Sequence, residues 1–172
     1  YVQAGGAFSK RDFFSLSDDY TPAAFSVEDG GHRENSRNQD QKISLKLGYT
    51  PNTTDEYAIS YNNQQGEKQT PLYAGDDSTF RTRFWRWPEY NKESIYFISR
   101  TQLADNHYIK ARAFYDTFEN TLDSYDDASF TSQNKPFAFN DSVYDDYTYG
   151  GGLEFGTEYF NRQLLKFSFS YK

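Results

Sequence analysis

Apolar and polar positions alternate at the end of the chain. In QLLKFSFSYK (163–172), Leu165, Phe167, Phe169 and Tyr171 are interleaved with Lys166, Ser168, Ser170 and Lys172. A period of two puts every large apolar group on one face of a strand and every polar group on the other. The same pattern recurs upstream. QKISLKLGYT (41–50) sets Ile43, Leu45, Leu47 and Tyr49 against Ser44, Lys46 and Gly48. EYAISYN (56–62) sets Tyr57, Ile59 and Tyr61 against Ala58, Ser60 and Asn62, and YTYGGGLEFG (147–156) sets Tyr147, Tyr149, Leu153 and Phe155 against Thr148, Gly150, Gly152 and Glu154. HYIKARAFYD (107–116) places Ile109, Ala111, Ala113 and Tyr115 opposite Lys110, Arg112 and Asp116, while the opening YVQAGGAFSK fits more weakly. KESIYFISRTQL (92–103) is apolar on both faces for part of its length, so its inner side is left open. About seven strands result, with 81–91 a candidate extension of one of them.

The connections sort by length. Long ones lie near 17–40, 66–91 and 121–145; short ones are TPNTTD (50–55), ADN (104–106) and TEYFNR (157–162). In an antiparallel up-and-down meander, alternate connections share an edge, so all long loops fall on one rim and all short turns on the other. That asymmetry is the habit of outer-membrane barrels. The predicted fold class is therefore all-β: part of an antiparallel up-and-down transmembrane β-barrel of about seven or eight strands, residues 1–172 forming part of one barrel domain.

Composition supports this expectation. Of 172 residues only 36% are hydrophobic, yet 20% are aromatic, and mean hydropathy is −0.94. A soluble domain carries roughly 45–50% apolar residues, and disordered chains are poor in aromatics. A membrane barrel accommodates both facts, because only alternate residues of strands about 9–11 long face lipid. No stretch approaches the ~18 apolar residues of a spanning helix. With no Cys, disulfides, thiolate metal sites and Cys nucleophiles are absent, and a formal net charge of −7 argues against a nucleic-acid partner. The acidic doublets Asp18-Asp19, Asp76-Asp77, Asp126-Asp127 and Asp145-Asp146 lie in the long loops or at their edges, so the charge gathers at one rim. With neither a signal peptide nor Met, Tyr1 is not expected to be the natural start.

Several stretches carry a family resemblance: GEKQTP (66–71), RFWRWPEYNKESIYFISRTQL (83–103), ARAFYDTFENTLDSYDDASF (111–130), DSVYDDYTYGGGLEFGT (141–157) and EDGGHRENS (28–36). In order and spacing they resemble the barrel of bacterial TonB-dependent outer-membrane receptors. The resemblance implies a Gram-negative outer-membrane location and capture of a scarce nutrient such as a ferric siderophore, haem or cobalamin, followed by TonB-dependent uptake. It implies TonB and a plug domain as partners in the intact protein, beside the bilayer, lipopolysaccharide and the small-molecule ligand. The sequence departs from that family by containing no signal peptide, plug or coupling segment. It ends on Lys172 where such barrels end on an aromatic residue, so it is expected to represent about a third of a roughly 22-stranded wall. Other readings are a small complete barrel (porin or adhesin) and a soluble calyx with apolar groups inside.

No catalytic constellation, metal site or cofactor is expected. His32 and His107 fall at opposite rims, about 25 Å apart across an apolar band, too far to share an ion. GGGLEFG (150–156) lacks a phosphate-loop Lys and sits within a strand, where it reads as small residues admitting a neighbour's side chains or a bend. The remaining candidates for ligand contact are Arg81, Arg83, Trp85 and Arg86 of RTRFWRW (81–87), with His32 and Arg33. In these, cations would meet an anionic chelate and aromatic rings would stack on it; the same residues also fit an interfacial belt. The expected lipid-facing residues are Ile43, Leu45, Leu47, Tyr57, Ile59, Tyr149, Leu153, Phe155, Leu165, Phe167 and Phe169. Lys110 and Arg112, on the opposite face, are expected to pair with carboxylates of neighbouring strands or to contact a plug.

Overall fold

The computed structural model describes residues 1–160 and 162–172. Seven strands form one antiparallel sheet in which every strand pairs with its sequence neighbours: β1 (Val2–Arg11), β2 (Asn38–Tyr49), β3 (Glu56–Gln69), β4 (Trp85–Ala104), β5 (His107–Ser124), β6 (Phe139–Thr157) and β7 (Leu165–Tyr171). The sheet is open: β1 and β7 are its edges and do not pair with each other. No helix occurs among the described residues.

Three strands are longer than the alternation suggested. β4 begins at Trp85 and so takes in most of the 81–91 extension, β5 runs on to Ser124, and β6 starts at Phe139. The second and third long connections shrink accordingly to 70–84 and 125–138, the first moves to 12–37 at about its expected length, and all three lie at one end of the sheet. The added residues, WRWPEYN and FENTLDS, lack clean alternation because the ladder is bulged there, between Arg86 and Glu89 and between Leu122 and Ser124. At the other end the turns are short. Asn52 closes the 50–55 turn, its Oδ1 accepting from the Thr54 and Asp55 backbone N–H groups. Asp105-Asn106 alone joins β4 to β5.

Register gathers the alternating residues into two continuous faces. On the apolar face Leu47 lies opposite Ile59, Ile59 opposite Phe97, and Phe97 opposite Ala113. Further along, Leu153 faces Phe169 and Phe155 faces Phe167. All eleven residues named above as lipid-facing share this side. The ambiguous strand resolves through its partners: Ile95 and Phe97 join the apolar face, Tyr96 and Ile98 the polar one. On β3, β4 and β5 the apolar face ends at one register row, where Asn63, Glu93 and Thr117 lie side by side; on β2 and β6 that row still holds Ile43 and Tyr147, with Gln41 and Asp145 following and Phe8 and Val143 lying further along the same side. Just inside that edge the rings of Tyr115, Tyr147, Tyr149 and Tyr171 form a chain, and Tyr49 and Tyr57 stand together toward the short-turn end.

Nothing in the described chain covers this face. Phe167 is 65% exposed, Phe169 69% and Leu47 54%, and among the described residues the buried apolar side chains are Ala58, Leu72 and Tyr108. A soluble domain of this length buries a core, since burial of about 25 cal/mol per Å² of apolar surface is its main stabilising term. Here the backbone ladder holds the sheet, and its oily surface faces outward unpaired.

Candidate functional site

On the polar face, β5 lays its long side chains across the glycines of β6. A Cβ at Gly156 would lie 2.2 Å from the Tyr108 ring, one at Gly152 would lie 3.0 Å from Nε of Arg112, and one at Gly150 would lie 2.8 Å from the Phe114 ring. The small residues of GGGLEFG therefore receive a neighbour's side chains, as their placement within a strand suggested. Tyr108 is anchored by donating to Oε1 of Glu154 at 3.0 Å, and the same oxygen takes Lys110 Nζ at 3.3 Å. Lys110 thus finds the expected carboxylate. Arg112, for which a carboxylate or a plug contact was expected, has no carboxylate partner among the described residues; it lies along Gly152.

The loops at the far rim are knotted together by buried polar groups. Gly30 and Gly31, with φ of 104° and 82°, turn the first loop back on itself so that Leu16 N donates to Gly31 O and Arg33 N to Phe14 O. Glu28, fully buried, pairs with Arg33 at 3.0 Å and accepts the Glu34 N–H. Arg33 also donates to the carbonyl of Leu72, the buried apolar residue of the second loop. Asn35, in the left-handed region at φ 51°, uses its whole amide: Nδ2 donates to Thr70 O (2.8 Å) and Trp85 O (2.9 Å), and Oδ1 accepts from Arg86 Nε (2.8 Å). Arg86 in turn lies 4.1 Å from the Phe130 ring of the third loop. One residue of the first loop thereby ties the second loop and β4, and through Arg86 reaches the third. The third loop is wound about Asp126, which accepts N–H groups of Asn134 and Lys135 and the Ser132 hydroxyl. The Asn134 N–H first, then the Lys135 N–H and the Ser132 hydroxyl, hold the Asp126 carboxyl below its usual range.

Of the six candidate contact residues, Trp85 and Arg86 meet at Asn35, the first through its backbone carbonyl and the second through its guanidinium, while Arg33 is taken up by Glu28 and the Leu72 carbonyl; both guanidinium groups are occupied in holding the loops. Trp85 Nε1 donates to Ser124 Oγ at 3.2 Å. Arg81 caps the Phe137 ring at 4.1 Å and Arg83 the Trp85 ring at 5.3 Å. His32 stacks on Phe13 within the first loop, at the opposite end of the sheet from His107, which opens β5 at the short-turn end. Sequence reading gave Glu28 and Asn35 no role, took Asp126 only as half of an acidic doublet at the rim, and passed over Lys68. The signal for the first three was weak, since polar loop residues reveal their burial only once the loops have met. Lys68 lies 3.5 Å from the Tyr90 ring centroid and 4.9 Å from that of Trp87. It follows the strand parity of the polar face, as do Trp85, Trp87 and Tyr90 on β4.

Two hollows adjoin on the polar face. The one nearer the short turns, about 510 Å³, is lined by Arg100, Lys110, Arg112, Glu154 and their neighbours. The one nearer the loops, about 550 Å³, is lined by Lys92, Tyr96, Phe114, Asp116 and Phe118 among others, and the two share Ile98 and Arg112. No group of three or more metal-binding side chains occurs among the described residues. Compared with known proteins, the chain matches no family model, no curated protein and no solved structure.

Proposed function

We propose that this chain is wall and surface loop of a Gram-negative outer-membrane β-barrel receptor of the TonB-dependent type, which captures a scarce small molecule such as a ferric siderophore for energy-coupled uptake. The observation that carries the reading is the uncovered apolar face, bounded on one register line by carboxylates and amides and edged by tyrosines. Hydrocarbon satisfies such a surface, and a tyrosine girdle suits the interface where ring and hydroxyl meet different solvents. The polar face then lines the lumen, the loop knot stands at the cell surface, and the free edges of β1 and β7 continue into further strands, because an open edge in lipid leaves backbone groups unpaired. TonB and a plug domain are the partners this reading assigns to the intact protein. The chain contributes binding surface and wall, and no catalytic step is assigned to it.

The test is expression of the full natural polypeptide containing this sequence, with paired substitutions in β7. Outer-membrane fractionation and a need for detergent are expected. Phe167→Arg should destabilise the barrel by ~2–4 kcal/mol if it lies near the bilayer midplane, and Ser168→Arg should be tolerated. A protein soluble without detergent, or equal damage from both substitutions, rejects the membrane reading in favour of a two-sided protein core.

A further inference from the structure

At the loop end of β3, β4 and β5 there is a recess on the side of the sheet that carries the apolar face lower down. Gln69, Arg86 and Asp123 stand side by side there on the three strands. Arg86 points to this side although Trp85 and Trp87 follow the polar face, because the bulge between Arg86 and Glu89 resets the parity of β4. Glu67 precedes Gln69 by two residues and so shares its side. Arg37 joins the two: its N–H donates to Gln69 Oε1 at 3.2 Å and its guanidinium pairs with Glu67 at 2.7 Å. Tyr125 closes the top, with its ring 5.7 Å from the Arg86 guanidinium and its hydroxyl 3.5 Å from Oδ2 of Asp123. These six line a hollow of about 240 Å³. Lys68 and Trp87 also border it, but their side chains meet each other on the opposite face.

We infer that this recess is a carbohydrate site, holding one uncharged, hydroxyl-rich sugar ring of a polysaccharide. The inference rests on the receptor reading for its setting, which is the outside of the wall, away from the lumen and any plug. Asp123 lies six residues beyond Thr117, roughly 20 Å along the strand from the end of the apolar face, and so clear of hydrocarbon. Two guanidinium groups face two carboxylates here, so no net charge selects an ion. Part of each polar group is engaged: Arg86 Nε on Asn35, Asp123 Oδ1 on the Asp141 N–H, Gln69 Oε1 on Arg37. Nε2 of Gln69, the terminal nitrogens of Arg86 and, past its long contact with Tyr125, Oδ2 of Asp123 are left to meet a ligand. Neighbouring hydroxyls of a sugar ring each donate and accept, and planar amide, carboxylate and guanidinium edges meet them in pairs. The Tyr125 ring offers the C–H face of the same sugar an apolar surface, while its hydroxyl joins the polar network. Drug-sized pockets run roughly 300–1,000 Å³, and a smaller hollow suits a single ring.

The experiment uses the full natural chain, purified from outer membranes in a polyoxyethylene detergent, which carries no sugar, with saturation-transfer NMR as readout. One probe is dephosphorylated polysaccharide cut from the outer-leaflet lipid of the same cells; the other is dextran, an unrelated neutral glucan. Ring protons of at least one should receive saturation. Transfer to the first assigns the site to the cell's own surface, and transfer to dextran alone assigns it to a free glycan. Binding should be the same at about 0.1 and about 0.5 M salt, because the ring carries no charge. Gln69→Ala combined with Tyr125→Leu should weaken it at least about fivefold, and Gln69→Leu alone at least about threefold should the double variant fail to fold. Thr117→Ala, lower on the same side, should leave it within about twofold. Transfer to neither polysaccharide, loss of binding with salt, or indifference to the substitutions overturns the site. Membrane fractionation and heat-dependent gel mobility of each variant are read alongside. A folded membrane protein that binds no sugar defeats the site alone, whereas a chain soluble without detergent defeats the receptor reading.

Discussion

A single hydrogen is all that the β6 backbone can carry at Gly156, because the Tyr108 ring occupies the place of a Cβ. The ring is held there by its hydroxyl on Glu154. Gly156→Leu is expected to destabilise the sheet by about 1–3 kcal/mol, the usual cost of overpacking. Shortening the ring in Tyr108→Ala should remove most of that increment, so a double-mutant cycle by denaturant unfolding should give a clear coupling between the two. Gly6, whose nearest Cβ neighbour is a backbone oxygen at 3.7 Å, should accept Ala with little change. Additive costs at Gly156 and Tyr108 would show that the ring does not depend on the glycine.

The strands were legible where one side of the sheet differs from the other. Ile43, Leu45 and Leu47, or Phe167 and Phe169, declare their face through their spacing. Upward of Lys92 that signal fails, since beyond the apolar edge neither face of the sheet is oily and the ladder is bulged; only the partners of Trp85 and Tyr90 fix their side. The loops were legible as long and acidic, not as folded, because the contacts of Glu28, Asn35 and Asp126 join segments that meet only in three dimensions. The third loop illustrates the chemistry. Asp126 is depressed below the value it has in an unfolded chain, about 3.9, so its stabilising contribution is complete above that pH and is lost as pH falls through the lower folded value. Hydrogen-exchange protection over 125–138, taken relative to the intrinsic rate at each pH, should stay high at neutral pH and fall below about pH 4. In Asp126→Asn the same segment should exchange faster already at pH 7 and respond less to acid. An acid-insensitive wild-type loop would remove Asp126 as its organiser.

For the whole molecule, the face without a core and the line at which it ends belong together. A protein partner covering the apolar face has no need to stop where Asn63, Glu93 and Thr117 replace apolar residues on three successive strands, whereas a hydrocarbon slab ends within a narrow band on every strand that crosses it. On the membrane reading the cost of a charge therefore follows depth. Arg in place of Leu153 should cost about 2–4 kcal/mol, while Arg in place of Glu93 or Thr117, at the line itself, should cost about 0–1 kcal/mol. Unfolding free energies in bilayers measure this directly, and a flat profile across those positions would point to a covering protein.

β4, β5 and β6 run 20, 18 and 19 residues, where about 9–11 suffice to cross a bilayer. Their surplus runs past the row of Glu93, Thr117 and Tyr147 by seven or eight residues, roughly 25 Å along the strand. In a cell envelope that surplus would be a chimney. It would hold Asn35, Arg86 and the Phe130 tip of the third loop up among the sugar chains rather than at the lipid surface, so arriving cargo would first touch the protein well clear of the membrane it is to enter.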